Sequence, residues 1–442
     1  MGMKVNRFTS LEKSWITYDW ANSVFATNIM AAIFPIYFSS VAGAAGVPGD
    51  VYWGYGTSAA TAAVALAAPF LGAVGDYRGM KKKLFGFFLA LGLVFTLTMA
   101  LTDNWRMMLA GYVVAYIGFT GSCLFYDSFL TDVTTRNRMD RVSAWGYAMG
   151  YIGGSTIPFI LSIGILLIMG MDNPMAVKAS VLLTVVWWAV FSIPMLRNVK
   201  QVHFVETPRT ELVRNTLRNL SGTARAILRD HGMVVFMIAY FFYIDGVNTV
   251  IHMATAYGST LGLDSTGMIL ALLVTQIVAV PCSILFGRIA AKVGSIRVIL
   301  VAILTYVAIC LLGFLMGRMV ESASAEEMAE AVRRAGTLFW VLAVMVGTVQ
   351  GGIQALSRSY FGKLVPPERS SEYFGFFDIF GKYAAVLGPL LYGLMAQATG
   401  RSSLGILSIA AFFAIAFVLL TLGRRSLAET ESRNRAANGE NE

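Results

Sequence analysis

Residues 72–101 read GAVGDYRGMKKKLFGFFLALGLVFTLTMAL. The second part, Leu84–Leu101, runs eighteen residues without a charge. That is about the length an α-helix needs to cross ~30 Å of hydrocarbon at ~1.5 Å per residue. The first part places Gly72, Gly75 and Gly79 among Arg78, Lys81, Lys82 and Lys83. Glycines permit a tight turn between antiparallel helices, and cations hold such a turn at the headgroups. Apolar run, short basic turn, apolar run is therefore the unit of which this chain is built.

Moving outward, twelve apolar stretches have the required length: 15–41, 52–74, 84–101, 105–131, 143–169, 176–196, 232–256, 265–288, 296–317, 335–358, 374–397 and 401–423. Lipid offers no partner to bare backbone, so these runs must be helices. A closed barrel would instead show alternating segments of about ten residues. Composition agrees: of 442 residues, 57% are hydrophobic and 13% charged, about half the charge of a soluble domain. With spans counted this way, loops on the side of the termini hold 27 of the 34 Lys and Arg, and loops on the other side hold 6. Cytoplasmic loops collect these residues, which predicts both termini in the cytoplasm and an integral protein of the cell (inner) membrane. The spread of basic residues over many short loops explains the net charge of +9 without nucleic acid.

The expected organisation is an N-tail (1–14), a six-helix bundle (15–196), a cytoplasmic linker (197–231), a second six-helix bundle (232–423) and a polar, disordered C-tail (424–442). The linker reads as a solvated segment able to lie on anionic lipid, with helix-like stretches around Glu211–Arg229. The acidic segment at Arg318–Gly336 predicts a short surface helix. Three cysteines (Cys123, Cys282, Cys310) inside apolar runs suggest no disulfide framework.

The opening turn has an echo. Gly287-Arg-Ile-Ala-Ala-Lys292-Val-Gly294-Ser-Ile-Arg297 follows the eighth span as residues 72–83 follow the second. In both, two glycines stand seven apart and a basic residue (Lys82, Arg297) falls ten after the first. Matching halves are expected of transporters built from repeats. With this repeat the sequence resembles the major facilitator superfamily, whose signature Gly-x-x-x-Asp-Arg-x-Gly-Arg-Arg/Lys is met here by Gly72, Asp76, Gly79 and Lys81. Tyr77 and Met80 replace its two arginines. The resemblance implies an all-α fold of two pseudo-symmetric six-helix bundles. With Arg78 and Lys82 to supply the missing charge, it would set Asp76 against Ser370–Phe374, and Arg78 against Asp127 or Asp132. Further segments resemble the autophagy-related vacuolar amino-acid effluxer branch and its bacterial relatives: Tyr18–Ser23, Phe34–Phe38, Arg141–Ser143, Gly146–Tyr151, Asp245–Val247, Gln354–Ser359, and Pro366–Glu372 leading into Phe374–Asp378 and Gly381-Lys382. That likeness implies alternating-access transport, with export of amino acids as the expectation.

A charge at mid-bilayer costs about 2.5–3.5 kcal/mol on insertion scales, so it faces a cavity or a partner. Asp245, some twelve residues into the seventh span, is either a proton-coupling or ammonium-binding group or a structural Asp bonded to a neighbouring helix. Asp19 and Asn22 repeat the spacing of Asp245 and Asn248, which puts each pair on one helix face. Asp19 lies close to the end of its span, where an interfacial role and a cavity role compete. Asp378 and Lys382, four apart, read as a structural or gating pair. Arg358 can hold a carboxylate bidentately or snorkel. Gln276, Gln350, Gln354 and His252 offer orienting hydrogen bonds or interhelical ones.

Enzymatic chemistry finds no foothold. The three histidines (His203, His231, His252) form no His-Glu-x-x-His run, and no Gly-x-Ser-x-Gly elbow occurs. Gly375–Lys382 spaces its glycines wrongly for a phosphate loop. The expectation is a non-enzymatic, monomeric secondary transporter without cofactor, open to proton coupling, whose partners are membrane lipid and a small solute. A lipid or glycolipid flippase of the same fold, or a non-transporting sensor, are the alternatives.

Overall fold

The computed structural model describes residues 7–170, 173–206, 212–384 and 387–437. These residues are helical almost throughout, with one isolated bridge between Tyr77 and Val205. Among the described residues eleven helices are long and apolar enough to cross a membrane: Ser10–Ala44, Val51–Gly75, Met80–Ala100, Trp105–Val133, Arg136–Met169, Pro174–Asn198, His231–Thr260, Leu270–Val293, Ser295–Glu321, Met328–Leu364 and Ser402–Leu422. They correspond to eleven of the twelve predicted runs. The remaining run, 374–397, is described as two shorter helices, Ser370–Tyr383 and Leu387–Thr399.

Side chains in the loops start several of these helices. Thr9 and Glu12 form a reciprocal capping box, and Asn104, Asn173, Asp230 and Asp264 each accept an amide of the first turn. Two stretches widen into π-helix, Phe25–Ala32 and Gly150–Thr156. They belong to helices packed on each other through small residues. A Cβ on Gly153 would lie 1.7 Å from Trp20, and one on Gly154 would lie 2.2 Å from Ser23. Glycine at both positions is what brings the two backbones together.

The chain divides into two compact units, Met1–Thr223 with Val365–Asp378 and Ala224–Leu364 with Ile379–Glu442. These limits differ from the predicted bundles at two points. Most of the amphipathic linker helix Leu212–Arg229 belongs to the first unit, where Thr216 and Thr223 are buried, so this linker is more than a solvated tether. Val365–Asp378, far along the sequence, also belongs there. Two local expectations are corrected. The acidic segment before the tenth span is no separate surface helix but largely extends that span, which begins at Met328 and carries exposed Glu330–Arg333 and Glu330–Arg334 pairs. The tail forms a helix, Arg424–Ala437. Its polar composition concealed one inward face: Leu427 and Thr430 are buried, Thr430 donates to Asp230 at 2.6 Å, and Arg433 pairs with the same carboxylate.

Candidate functional site

In the first unit the glycine-rich turn is tied to the start of Ser370–Tyr383. Asp76, 2% exposed, accepts the amides of Ser371 (2.8 Å) and Glu372 (2.9 Å), and so caps that helix from a distant part of the chain. Burial pushes the Asp76 carboxyl up to about 7, against the opposing pull of Lys81 and the two amides. Gly72 allows the approach, since a Cβ there would meet the Ser371 carbonyl oxygen at 2.2 Å.

The cation at this joint is Lys81. Its ammonium lies 2.8 Å from Asp132 and 2.8 Å from the Ser370 hydroxyl, and both ionic side chains are fully buried. Asp132 also accepts the amides of Val202 and His203, at 3.0 and 2.8 Å. Arg78, given this role on the sequence, is directed elsewhere: it pairs loosely with Glu206 at 3.6 Å and lies over Phe204, with both charged side chains largely exposed. The geometric reason is that the turn residues Tyr77 and Arg78 run beside Val205, whereas Lys81 opens the next helix on its inward face. Tyr77, where the signature has Arg, is buried and shares a hydrogen bond with Thr216 of the linker helix.

Other candidates of this unit are spread along it. Asp19 is half-buried and accepts the Tyr126 hydroxyl at 2.8 Å, while Asn22 is buried beside Cys123. Asp127 is half-buried and Asp378 likewise, each with a partner. The side chain of Lys382 lies outside the described residues, so the predicted Asp378–Lys382 pair does too. A residue the sequence reading passed over is Asn28, 1% exposed, whose amide donates to Ser162 (2.9 Å) and Thr184 (3.1 Å) while its carbonyl oxygen has no partner. An amide inside an apolar run was the available signal.

The second unit holds Asp245, fully buried on His231–Thr260. One carboxylate oxygen accepts the Gly388 amide at 2.9 Å and the Thr249 hydroxyl at 3.4 Å; the other, equally buried, has no hydrogen-bond partner. Gly388 belongs to the helix Leu387–Thr399, which Asp245 thus ties to His231–Thr260. The approach is close: a Cβ on Gly388 would meet Thr249 Oγ1 at 1.8 Å.

Of the residues grouped with Asp245 on the sequence, Asn248 is half-buried and His252 is exposed. Arg358 is buried and partnered, Gln354 is half-buried, and neighbouring Ser357 shares a 2.6 Å hydrogen bond with Tyr243. Gln276 and Gln350 line a cavity of about 100 Å³ with Tyr257, Thr275 and a mainly apolar wall that includes Phe339 and Met316. The Gln276 carbonyl oxygen has no partner. Among the described residues no group of three His, Cys, Asp or Glu is placed to hold a metal.

Eleven apolar helices among the described residues, a basic turn locked by Asp76 and Lys81, and a fully buried acid on the seventh span define a transporter of the major facilitator superfamily. Solved structures of that class share the fold. The proton:xylose symporter XylE superposes with a TM-score of 0.66 at 11% identity, over 92% of this chain and 94% of that one. The human organic anion transporter MFSD10 gives 0.62 at 14%, over 93% and 98%. The family model described as vacuole effluxer Atg22 like matches residues 50–137 and 130–432, and the chain belongs to that family. The MFS-type transporter YxiO of Bacillus subtilis (strain 168) is 41% identical over 426 residues, 94% of this chain and 95% of its own. Autophagy-related protein 22 of Cryptococcus neoformans var. neoformans serotype D (strain B-3501A) is 25% identical over 323 residues, 70% of this chain and 57% of its own.

Proposed function

We propose that this membrane protein is a secondary transporter that moves a small zwitterionic solute, a neutral amino acid in the first instance, out of the cell by alternating access, with Asp245 as the group that takes up a proton or the solute's ammonium. The observation that carries the reading is the unpartnered, fully buried oxygen of Asp245 beside the helix Leu387–Thr399. A buried carboxylate oxygen without a donor is costly, and a proton or a cation satisfies it. Transporters place coupling groups near the bilayer midplane, where backbone amides turned toward a side chain can hold a carboxylate, and Asp245 accepts the Gly388 amide in this way. Both termini would lie in the cytoplasm, as the 27-to-6 distribution of Lys and Arg argues. The mainly apolar wall of the Gln276–Gln350 cavity favours, as a second reading, an amphipathic solute such as a lipid.

Purified protein in liposomes, loaded with labelled amino acids and given a pH gradient, tests the proposal beside Asp245→Asn. Gradient-stimulated flux that the variant loses is the expected result. Flux equal to that of empty liposomes, from protein that elutes as a single folded species, refutes the amino-acid assignment. Movement of labelled lipid between leaflets in the same vesicles would establish the second reading in its place.

A further inference from the structure

The cavity lined by Gln276 and Gln350 lies wholly within the second unit, among the helices His231–Thr260, Leu270–Val293, Ser295–Glu321, Met328–Leu364 and Ser402–Leu422. The second and fourth of these cross closely at its edge. A Cβ on Gly347 would lie 2.8 Å from the Thr275 carbonyl oxygen, and the Thr275 hydroxyl donates to the Ala343 carbonyl at 3.0 Å. Gln276 follows Thr275 directly, and Gln350 stands one turn beyond Gly347, so both carboxamides reach the cavity from the same crossing.

The polar groups of this wall differ in their partners. The Tyr257 hydroxyl donates to the Gly313 carbonyl at 2.8 Å, and the Thr275 hydroxyl is likewise engaged by backbone. The two glutamines are not. The enclosed carbonyl oxygen of Gln276 has no partner, and Gln350, 4% exposed, makes no hydrogen bond among the described residues. Buried amides in this state are destabilising until something meets them. The rest of the wall is mainly apolar, including Ile309, Met316, Phe339 and Val346, and among the described residues no Asp, Glu, Lys, Arg or His borders the cavity. An ion would be left uncompensated there, so the fitting occupant is neutral.

Water alone meets half of these conditions. It can bridge two amides, but it leaves the apolar wall without contacts. An alcohol meets both. Its hydroxyl donates to the Gln276 carbonyl oxygen and accepts from the Gln350 amide nitrogen, while its alkyl body fills the remainder. The cavity measures about 100 Å³. An apolar cavity of about 150 Å³ takes benzene, which sets the body here at about four or five carbon atoms.

We propose that this cavity is a binding site for a small neutral alcohol, held between Gln276 and Gln350. The site is separate from Asp245 and stands whichever solute crosses the membrane.

The test uses the full chain in nanodiscs of phosphatidylcholine, with empty nanodiscs as the background for partition into lipid. The probe is trifluoropropanol, close in size to a four-carbon alcohol, and its binding is read from fluorine NMR relaxation. Trifluoropropylamine, cationic near neutral pH, is the charged control. Gln276→Leu/Gln350→Leu removes both amides, and because neither has a partner to lose, the fold is retained. Ala254→Leu fills the space from the helix His231–Thr260. The expected result is wild-type binding of the alcohol above background, with the amine at background. Affinity for the alcohol should fall about a hundredfold in the double variant, about tenfold or 1.4 kcal/mol for each amide, and vanish in Ala254→Leu. Wild-type relaxation equal to that of empty nanodiscs overturns the proposal. Binding that the double variant keeps or strengthens overturns it too, and leaves the amides to bridging water. No flux enters this readout, so its failure and that of the amino-acid reading are told apart.

Discussion

Replacing Lys81 with Met should destabilise the protein by about 3 kcal/mol. The ammonium and the Asp132 carboxylate are 2.8 Å apart and fully buried, and breaking such a pair from one side costs about 3–5 kcal/mol. The low end of that range applies because Asp132 retains two backbone amides and the His203 ring nitrogen at 3.1 Å. In Lys81→Met/Asp132→Asn the orphan charge is gone and the Asn oxygen still accepts the amides, so the double variant should lie within about 1 kcal/mol of wild type. Arg78→Met, whose ion pair is long and largely exposed, should be indistinguishable from wild type. Unfolding in mixed micelles with increasing dodecyl sulfate measures these proteins and the single variant Asp132→Asn on one scale. If Lys81→Met proves as mild as Arg78→Met, or if the two substitutions of the double variant add, the ionic centre has been misplaced.

Three further expectations bear on the same joints. Gly72→Ala would drive a Cβ to 2.2 Å from the Ser371 carbonyl, so hydrogen exchange at residues 370–374 should rise at least tenfold while the amides of Met80–Ala100 keep their protection. Because the Asp76 carboxyl is raised from 3.8 to about 7 by burial, the folded state holds its proton more tightly than the unfolded chain. This contribution is therefore fully present below about pH 4 and is lost as pH rises to 7. Asp76→Asn should flatten that slope in micelle unfolding curves, and a slope left unchanged would assign it to other groups. Gly388→Ala places a Cβ 1.8 Å from Thr249 Oγ1 and must move the amide off Asp245. Flux in liposomes should then fall about as far as in Asp245→Asn, and undiminished flux would separate the two.

Much of the architecture could be read from residues 72–101 and their repeats, because lipid leaves an uncharged run of eighteen residues only one conformation. Of the features fixed by a partner remote in sequence, the family resemblance supplied one, Asp76 against Ser370–Phe374, and the others escaped. Asp245 takes the Gly388 amide, and nothing within the stretch 374–397 announces it. Lys81 was legible after all. Lys81, Phe85, Phe88, Leu89 and Gly92 fall at helical spacing and all are buried, so the apolar stripe of that helix begins with a cation. Counting charges per loop hides this, since Lys81 and its neighbour Lys82 score alike. The tail misled for the same reason: Leu427 and Thr430 are too few to mark an apolar face in a segment otherwise rich in Arg and Glu.

The wide turns at Phe25–Ala32 have a consequence for comparing relatives. A π-turn closes its hydrogen bonds over five residues instead of four, so each one behaves as a single-residue insertion that the helix absorbs without breaking. Trp15, Tyr18 and Asn22 before it are thereby out of phase with Asn28, Phe34 and Phe38 after it, relative to an uninterrupted α-helix, although all six are buried. A homologue lacking one residue in this stretch would keep both buried stripes only by straightening the helix. An alignment forced through it without a gap would pair inward residues of one protein with lipid-facing residues of the other.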